Sequence, residues 1–171
     1  GTAVATIKDQ AGTSLGTLPA TVGSGASFSC KFNSSGTYQY SRIVDGTGND
    51  VGQAVTCDSS GNMYLAGQYA TAAPSIITVN SSNVSSVVGY LPAPSGGTVA
   101  FVVKFDSSGN YNPVQRPSPA TFSRIVDGTG SEIGYGVTCD SSGNMYMAGY
   151  YDTAAPTIKD QAGTSLGTLP A

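Results

Sequence analysis

Residues Val51–Tyr69 read VGQAVTCDSSGNMYLAGQY, and residues Ile133–Tyr151 read IGYGVTCDSSGNMYMAGYY. In each stretch, two runs with apolar and β-branched residues flank the five residues Asp-Ser-Ser-Gly-Asn. The aspartate caps such a turn through side-chain hydrogen bonds, and the glycine supplies a positive φ angle. The sequence therefore predicts the same strand–turn–strand unit, a β-hairpin, in both places.

More strands and turns of the same kind surround these hairpins. Phe101–Phe105 is β-branched and aromatic and ends at another Asp-Ser-Ser-Gly-Asn turn, of which Asn33–Gly36 is a further version. Tyr38–Val44 is predicted as a strand that ends at Asp45. Glycine, with 23 residues in 171, is spread along the chain, and no window has an apolar period of 3.6 residues. No helix is predicted.

The main signal in the chain is internal repetition. One segment, which we call the arm, spans Thr6–Ala20 and returns without a change at Thr157–Ala171. A diverged third copy occupies Ser75–Ala93. Each arm is predicted to form a short hairpin that stops at a proline.

Two other units recur between the arms. The KF unit begins at Ser27 as SFSCKFNSSGTY and again at Ala100 as AFVVKFDSSGNY. The SRIVDG unit begins at Ser41 and Ser123, and its two copies agree at 26 of 34 positions. The proline-rich segment Asn112–Phe122 interrupts the second repeat and is predicted as an extended loop.

The order of these units divides the chain into three parts. Residues 1–26 form an N-terminal arm, which is a partial repeat; residues 27–95 form repeat 1 with the middle arm; residues 96–171 form repeat 2 and end in the C-terminal arm. We predict an all-β fold of tandem four-stranded antiparallel blades, like those of a β-propeller. Closure needs about four to eight blades, so two repeats and a partial third are incomplete as a closed propeller.

The hairpin sequences Val51–Tyr69 and Ile133–Tyr151, together with AFVVKFDSSGNY at Ala100–Tyr111, resemble the SBBP family of β-propeller repeats. The resemblance covers nearly the whole chain except the proline-rich segment and much of the middle arm. It implies bladed sheets around an axis, typically in secreted or surface proteins. The family is defined by a structural repeat, so the resemblance implies no activity.

The composition excludes several kinds of function. The chain has no histidine, which removes Ser-His-Asp, Cys-His and His-zinc chemistry. A net charge of −3 without a basic patch argues against nucleic acid as a partner, and the apolar runs are too short to span a bilayer. We predict no catalytic, cofactor-binding or metal-binding residue and no cofactor. The chain starts at Gly1 rather than Met, which indicates a processed product, a trimmed chain or a piece of a longer one.

The three cysteines are an odd number, so at least one thiol is unpaired within the chain. Cys57 and Cys139 lie in the identical context VTCDSSGN, one in each repeat. We interpret both as small buried hydrophobic residues rather than as a disulfide pair. A bridge from Cys30 to another chain is a minority alternative.

Three other sites remain open as alternatives. The acidic turns Asp45–Asp50 and Asp127–Glu132 contain oxygen ligands for calcium, although solvated strand connections are the favoured interpretation. Carboxylate-based hydrolysis is not excluded by sequence, but the acids recur in equivalent turns, as structural residues do. Five tyrosines are candidate sugar-stacking platforms or, more commonly, packing pairs: Tyr64, Tyr69, Tyr146, Tyr150 and Tyr151.

The three N-x-[ST] sequons are at Asn33, Asn80 and Asn83, and the last two are the better glycosylation candidates because they lie in a polar stretch read as an exposed loop. The first functional hypothesis is a structural or adhesive module of an extracellular or surface assembly. Its partners are other copies or further repeats of a longer chain, met through the matching terminal arms. The alternative is a propeller module that binds glycan or protein, and a carboxylate hydrolase ranks last.

Overall fold

The computed structural model describes residues 4–70, 72–111 and 121–171. These residues form fourteen strands and contain no helix. The strands are β1 Thr6–Lys8, β2 Ser14–Thr17, β3 Ser27–Phe32, β4 Tyr38–Asp45, β5 Val51–Cys57, β6 Met63–Tyr69, β7 Ser75–Asn80, β8 Ser85–Tyr90, β9 Val99–Phe105, β10 Phe122–Asp127, β11 Glu132–Cys139, β12 Met145–Tyr151, β13 Thr157–Asp160 and β14 Ser165–Thr168.

The strands form two sheets and two separate hairpins. Sheet 1 has the order β3-β4-β7-β8, and sheet 2 has the order β5-β6-β9-β10-β13-β14. The pairs β1–β2 and β11–β12 stand as two-stranded hairpins, and every paired strand is antiparallel to its neighbour. The predicted all-β, antiparallel, propeller-like and unclosed fold is confirmed.

The sheets interleave along the chain, which the repeat order did not reveal. After β6 the chain leaves sheet 2 to add β7 and β8 to sheet 1, then returns to sheet 2 for β9 and β10. It leaves again for β11–β12 and returns with β13 and β14. Sheet 1 has the four strands expected of a blade, whereas sheet 2 has six and draws them from both repeats.

Burial explains which strands are central. The strands β4, β6 and β9 are buried along nearly their whole length, on both faces, so each gains from a neighbour on either side. The strands β5, β8 and β14 are mostly exposed or half-buried and lie at sheet edges. The interior strands β10 and β13 are less completely buried than these three.

The core has two layers, which lie on opposite faces of sheet 2. Phe101, Val103 and Phe105 of β9 belong to the larger cluster, which also contains Val44 and Ile76 of sheet 1. The intervening residue of β9, Val102, joins Tyr64 and Ala66 in a second cluster, against which Val137, Cys139, Met145 and Met147 of β11–β12 pack. Alternate side chains thus bury both faces of sheet 2.

The Asp-Ser-Ser-Gly-Asn turns are built as predicted. In the turn between β5 and β6, Asp58 Oδ1 accepts the backbone N–H groups of Ser60 and Asn62, each at 3.0 Å. Asp58 Oδ2 accepts Asn62 Nδ2 at 2.8 Å and the Tyr64 hydroxyl at 3.0 Å. Gly61 has a φ of +77°, and the equivalent glycines of the other turns have similar values.

Residues 112–120 of the predicted proline-rich loop Asn112–Phe122 lie outside the described residues. The last residue of the predicted loop, Phe122, is the first residue of β10. The middle arm forms the hairpin β7–β8, and the two terminal arms form β1–β2 and β13–β14. Among the described residues, no helix has the length and apolar character that crossing a bilayer requires.

Candidate functional site

Two strands occupy sheet edges although their repeat equivalents are interior. Strand β9 lies between β6 and β10, but its equivalent β3 pairs within the described chain only with β4. Strand β6 lies between β5 and β9, but its equivalent β12 pairs, among the same residues, only with β11. In the described part of the chain, each of these two edge strands therefore lacks a neighbour that its repeat equivalent has inside sheet 2: β3 lacks a partner like β6, and β12 lacks a partner like β9.

The β3 edge exposes aromatic residues that are buried elsewhere. Phe28 is 56% exposed and Phe32 is 44% exposed, whereas the equivalent residues Phe101 and Phe105 of β9 are fully buried. The sequence is aromatic in both copies, so the difference arises from the missing neighbour. Exposed strand edges with apolar side chains are prone to pair with another chain.

The β12 edge shows the same contrast. Tyr146 is 57% exposed and Tyr151 is 36% exposed, whereas the equivalents Tyr64 and Tyr69 of β6 are fully buried. Tyr69 also packs against Phe101, with ring centroids 6.2 Å apart. The two edges thus expose complementary halves of a contact that is complete inside sheet 2.

A groove of about 440 Å³ runs beside the β3 edge and over β5 and β6. Its walls include Cys30, Lys31, Tyr40, Val55, Cys57 and Met63. In the second repeat, the equivalent surface formed by Val137, Cys139 and Met145 packs against the buried Tyr64. The groove is therefore the repeat equivalent of the surface on β11 and β12 against which Tyr64 packs.

Polar groups at the two edges also match those of the complete contact. Lys104 Nζ lies 3.8 Å from Asp58 Oδ2 and 5.2 Å from the centroid of the Tyr64 ring. The equivalent Lys31 contacts the Tyr40 ring at 5.4 Å and donates to the carbonyl oxygen of Ser107 at 2.8 Å. On β12, the Tyr146 hydroxyl donates to Asp140 Oδ2 at 3.1 Å. Hydrogen bonds from Asn144 and Tyr146 lower the pKa of Asp140, so its charge is available to a cation.

The aspartates that begin the acidic turns hold chain segments in place. Asp127 is buried and accepts Ser95 N at 2.9 Å, Ser95 Oγ at 2.6 Å and Lys159 Nζ at 2.5 Å. Burial acts to raise the pKa of Asp127, but these hydrogen bonds and the lysine charge outweigh it and lower the pKa. The equivalent Asp45 accepts Val22 N at 3.0 Å. Both carboxylates serve anchoring contacts.

The acids at the ends of these turns are also engaged by the backbone. Asp50 Oδ2 accepts Gly46 N at 2.5 Å, and Glu132 Oε2 accepts Gly128 N at 3.0 Å. Burial raises the pKa of Asp50, and nearby Asp45 adds to that effect. Within residues 4–70, 72–111 and 121–171, no group of three or more His, Cys, Asp or Glu side chains is placed to hold a metal ion.

Arg42 forms a second polar site that the sequence patterns did not indicate. Its guanidinium lies 4.0 Å from the centroid of the Tyr40 ring and donates to the carbonyl oxygens of Ser41 at 2.6 Å and of Gly109. Burial lowers its pKa. The residue lines a groove of about 410 Å³ whose other walls are mainly polar side chains: Gln39, Thr78, Asn80, Ser81, Ser86, Ser108 and Asn110.

The structure separates the five tyrosines into two groups. Tyr64 and Tyr69 are fully buried in the core clusters, so the favoured interpretation as packing residues is confirmed for these two and the sugar-stacking alternative is wrong for them. Tyr146, Tyr150 and Tyr151 are exposed on β12. Equal sequences have different burial because sheet 2 covers β6 and no described strand covers β12 on its outer side.

The cysteines are free thiols. The prediction of a buried side chain is wrong for Cys57, which is exposed on the edge strand β5. Cys139 is half-buried and packs against the second core cluster. Cys30 is half-buried, with its Sγ atom 3.2 Å from Ser41 Oγ.

All three sequon asparagines are exposed; Asn33 and Asn83 lie in hairpin turns, and Asn80 is the last residue of β7. Asn33 Oδ1 accepts Thr37 N at 2.8 Å, and Asn80 Oδ1 accepts Val84 N at 3.0 Å. Asn83 has a φ of +62° and accepts Thr17 N from the N-terminal arm at 2.8 Å. Glycosylation at these positions stays a prediction.

No protein-family profile matches the chain, and no solved structure matches it. Over 145 residues, which are 84% of the chain, it is 24% identical to an uncharacterised WD repeat-containing protein of Acanthamoeba polyphaga mimivirus. The matched region is 10% of that protein, so the chain spans about a tenth of the length of this relative. The likeness and the all-β architecture agree on a β-propeller type of repeat and do not single out the SBBP type.

Proposed function

We propose that this chain is a structural or adhesive repeat module of an extracellular or surface assembly, in which copies associate head to tail. The observation that carries the proposal is the unequal burial of equal sequences. Phe28 and Tyr151 are exposed at opposite ends of the repeat series, whereas their equivalents Phe101 and Tyr69 are fully buried and pack against each other inside sheet 2.

Three further features support a structural role. The acids of the repeat turns anchor backbone segments, as Asp127 does for Ser95. The terminal arms have identical sequences, so an arm of one copy fits the place of its twin in another. The likeness to a WD repeat-containing protein supports a module that is built from tandem repeats.

The test is the mass and shape of the full 171-residue chain in solution. Sedimentation velocity over a wide concentration range is expected to show association, and electron microscopy is expected to show rings or filaments of regular repeat. A folded chain that sediments as a monomer at every concentration contradicts the proposal.

The polar groove around Arg42 favours glycan binding as a second candidate function. Its walls carry amide side chains such as Asn80 and Asn110 and hydroxyl side chains such as Ser81 and Ser86, which suit hydrogen bonds to sugar hydroxyls. A glycan array, repeated with Asn110→Ala, tests it. Specific binding that the variant loses supports this candidate, and absence of binding rejects it.

The extracellular location is part of the proposal and has its own test. Secretion of the chain from a host that glycosylates proteins is expected to place glycans on Asn80 and Asn83, because both are exposed, one at the end of β7 and one in the turn that follows. Peptide mass spectrometry before and after enzymatic glycan release measures the occupancy. Unmodified asparagines at both positions in the secreted chain contradict this expectation.

A further inference from the structure

We propose that strand β12 of one copy pairs with strand β3 of a second copy, so that β11 and β12 complete the second copy's sheet 1 as a six-stranded sheet. This joint rests on the proposed head-to-tail function and specifies its contact. Sheet 2 provides the template, because β6 and β9 are the repeat equivalents of β12 and β3 and already pair antiparallel.

The template fixes the register of the joint. Inside sheet 2, Leu65 lies opposite Val103 and Gly67 lies opposite Phe101. The equivalent residues place Met147 of one copy opposite Cys30 of the next, and Gly149 opposite Phe28. Because a slip by one residue would turn every side chain to the wrong face, this register is the one that buries the aromatic residues.

Tyr146 is the anchor of the joint. In the template, Tyr64 is fully buried and packs against Val137, Cys139 and Met145 of the next layer. The equivalent surface is the groove of about 440 Å³ beside β3, lined by Val55, Cys57 and Met63. Val55 and Cys57 are exposed there, and a tyrosine entering between them and β3 covers both.

The charges of the two edges also complement each other. Lys31 lies on the edge strand β3, and Asp140 begins the turn between β11 and β12, where it accepts the Tyr146 hydroxyl. In the template the equivalents Lys104 and Asp58 lie 3.8 Å apart. The joint therefore brings a lysine of one copy to an aspartate of the other and keeps the apolar edges from pairing with themselves.

A second copy is the occupant that fits all these features. The β3 edge offers a strand, a groove for a tyrosine and a lysine, and the β12 edge offers the strand, the tyrosine and the aspartate. Since the two surfaces lie on different strands, the contact is heterologous and leaves a free edge for the next copy until a ring closes.

A cross-linking experiment tests the register directly. Antiparallel partners have Cα atoms about 4.5–5.5 Å apart, which a disulfide spans. In a chain with Cys57→Ser and Cys139→Ser, the substitution Met147→Cys is expected to give covalent dimers and longer ladders with Cys30 under mild oxidation by diamide. The control Ala148→Cys in the same background places the thiol on the opposite face and is expected to give few cross-links. Equal yields from both variants overturn the proposed register.

A pair of tyrosine variants tests the anchor. Tyr146→Ala is expected to raise the dissociation constant of the full chain about thirtyfold, the loss typical of an interface hot spot. Tyr135 is 55% exposed on the adjacent strand β11, and no contact in the joint uses it, so Tyr135→Ala is expected to leave the constant unchanged. Thermal unfolding of each variant confirms that it is folded.

The outcomes separate the joint from the proposed function. Association that Tyr146→Ala does not weaken, without the cross-link to Cys30, overturns the joint and leaves head-to-tail assembly through another surface. An unmodified chain that is monomeric at every concentration overturns both. Loss of association in Tyr146→Ala together with the specific cross-link supports both.

Discussion

At the scale of the residue, the same side chain has different roles in the two repeats because its neighbours differ. Phe105 is fully buried in the main core cluster and lies 5.9 Å from the Tyr111 ring, between centroids. Its equivalent Phe32 keeps the matching contact with Tyr38, at 6.0 Å, yet is 44% exposed. Residue identity alone therefore does not determine how much a side chain contributes to the free energy of unfolding.

This contrast predicts unequal costs for one substitution at two equivalent positions. Phe105→Ala is expected to lower the free energy of unfolding by about 3–5 kcal/mol, because it leaves a cavity in the core. Phe32→Ala is expected to lower it by less than about 1 kcal/mol in the monomer, because much of that ring already contacts water. Urea unfolding of both variants at low protein concentration measures the difference, and equal costs would contradict the burial assigned to the two rings.

The ion pair between Asp127 and Lys159 predicts a second residue-scale difference. Asp127→Asn removes the buried charge that pairs with the half-buried Lys159 and is expected to cost about 2 kcal/mol at pH 7. Asp45→Asn is the matched control, because Asp45 has no ion-pair partner in the part of the chain that the structure describes and the amide oxygen still accepts Val22 N. The control is expected to cost about 1 kcal/mol or less.

The pH dependence of this ion pair has a definite sign. The pKa of Asp127 is lowered in the folded chain, so the carboxylate stabilises the fold above its unfolded pKa of about 3.9. That contribution is lost as the pH falls below about 4 and passes through the lowered folded pKa. Urea midpoints measured from pH 6 to pH 2.5 are expected to fall less steeply for Asp127→Asn than for the unmodified chain, and parallel curves would contradict the assignment.

At the scale of the element, the hairpins follow directly from the sequence. Gly143 in the turn between β11 and β12 has a φ of +80°, as the Asp-Ser-Ser-Gly-Asn pattern predicts. Gly143→Ala is expected to destabilise the hairpin by about 1–2 kcal/mol, because a Cβ atom is strained in the left-handed region. Backbone hydrogen exchange in β11 and β12 measures that change.

The same hairpin contains a matched control for this substitution. Gly136 has no positive φ, a Cβ atom there meets nothing within 4 Å, and repeat 1 has Ala54 at the equivalent position. Gly136→Ala is therefore expected to leave hydrogen exchange unchanged or to slow it slightly. Faster exchange in this variant than in Gly143→Ala would show that backbone strain is not the cause.

The strands and turns were predictable, whereas the partners of the strands were not. Apolar and β-branched runs and the turn residues are local signals, so the ends of β5, β6 and β9 that adjoin the turns followed from them, whereas β9 begins at Val99, two residues before the predicted strand. Pairing of β6 with β9, across the intervening β7–β8 hairpin, depends on which strands need cover on both faces. The exposure of Cys57 could not be read from VTCDSSGN, because the identical context at Cys139 is covered by Tyr64.

At the scale of the whole molecule, the proposed joint turns incomplete sheets into complete ones. Each copy contains one six-stranded sheet and contributes the parts of a second, in which β11 and β12 of one copy join sheet 1 of the next. Each copy then provides two blades, and closure at about four to eight blades corresponds to a ring of two, three or four copies.

In the proposed assembly, two terminal arms compete for one position beside β10: β13–β14 of the same copy and β1–β2 of the next copy. The hairpin β13–β14 pairs with β10, and Lys159 reaches Asp127 from it. In the assembly, β1–β2 of the next copy competes for the same place, because Gly16 of β2 lies against Tyr38 just as Gly89 of the middle arm lies against Tyr111. The two arms have the same sequence, so Lys8 is able to take the place of Lys159.

Removal of arms tests this redundancy. Deletion of residues 157–171 is expected to leave association intact, because β1–β2 of the next copy pairs with the exposed β10 edge. Deletion of residues 1–20 is also expected to leave association intact, because β13–β14 stays paired with β10. Deletion of both segments leaves β10 bare and is expected to weaken association and to lower the thermal midpoint of the assembly. Sedimentation velocity of the three variants measures the effect. A monomeric single deletion would show that the arm in question has its own contact, whereas equal loss in all three would mean that the arms are not interchangeable.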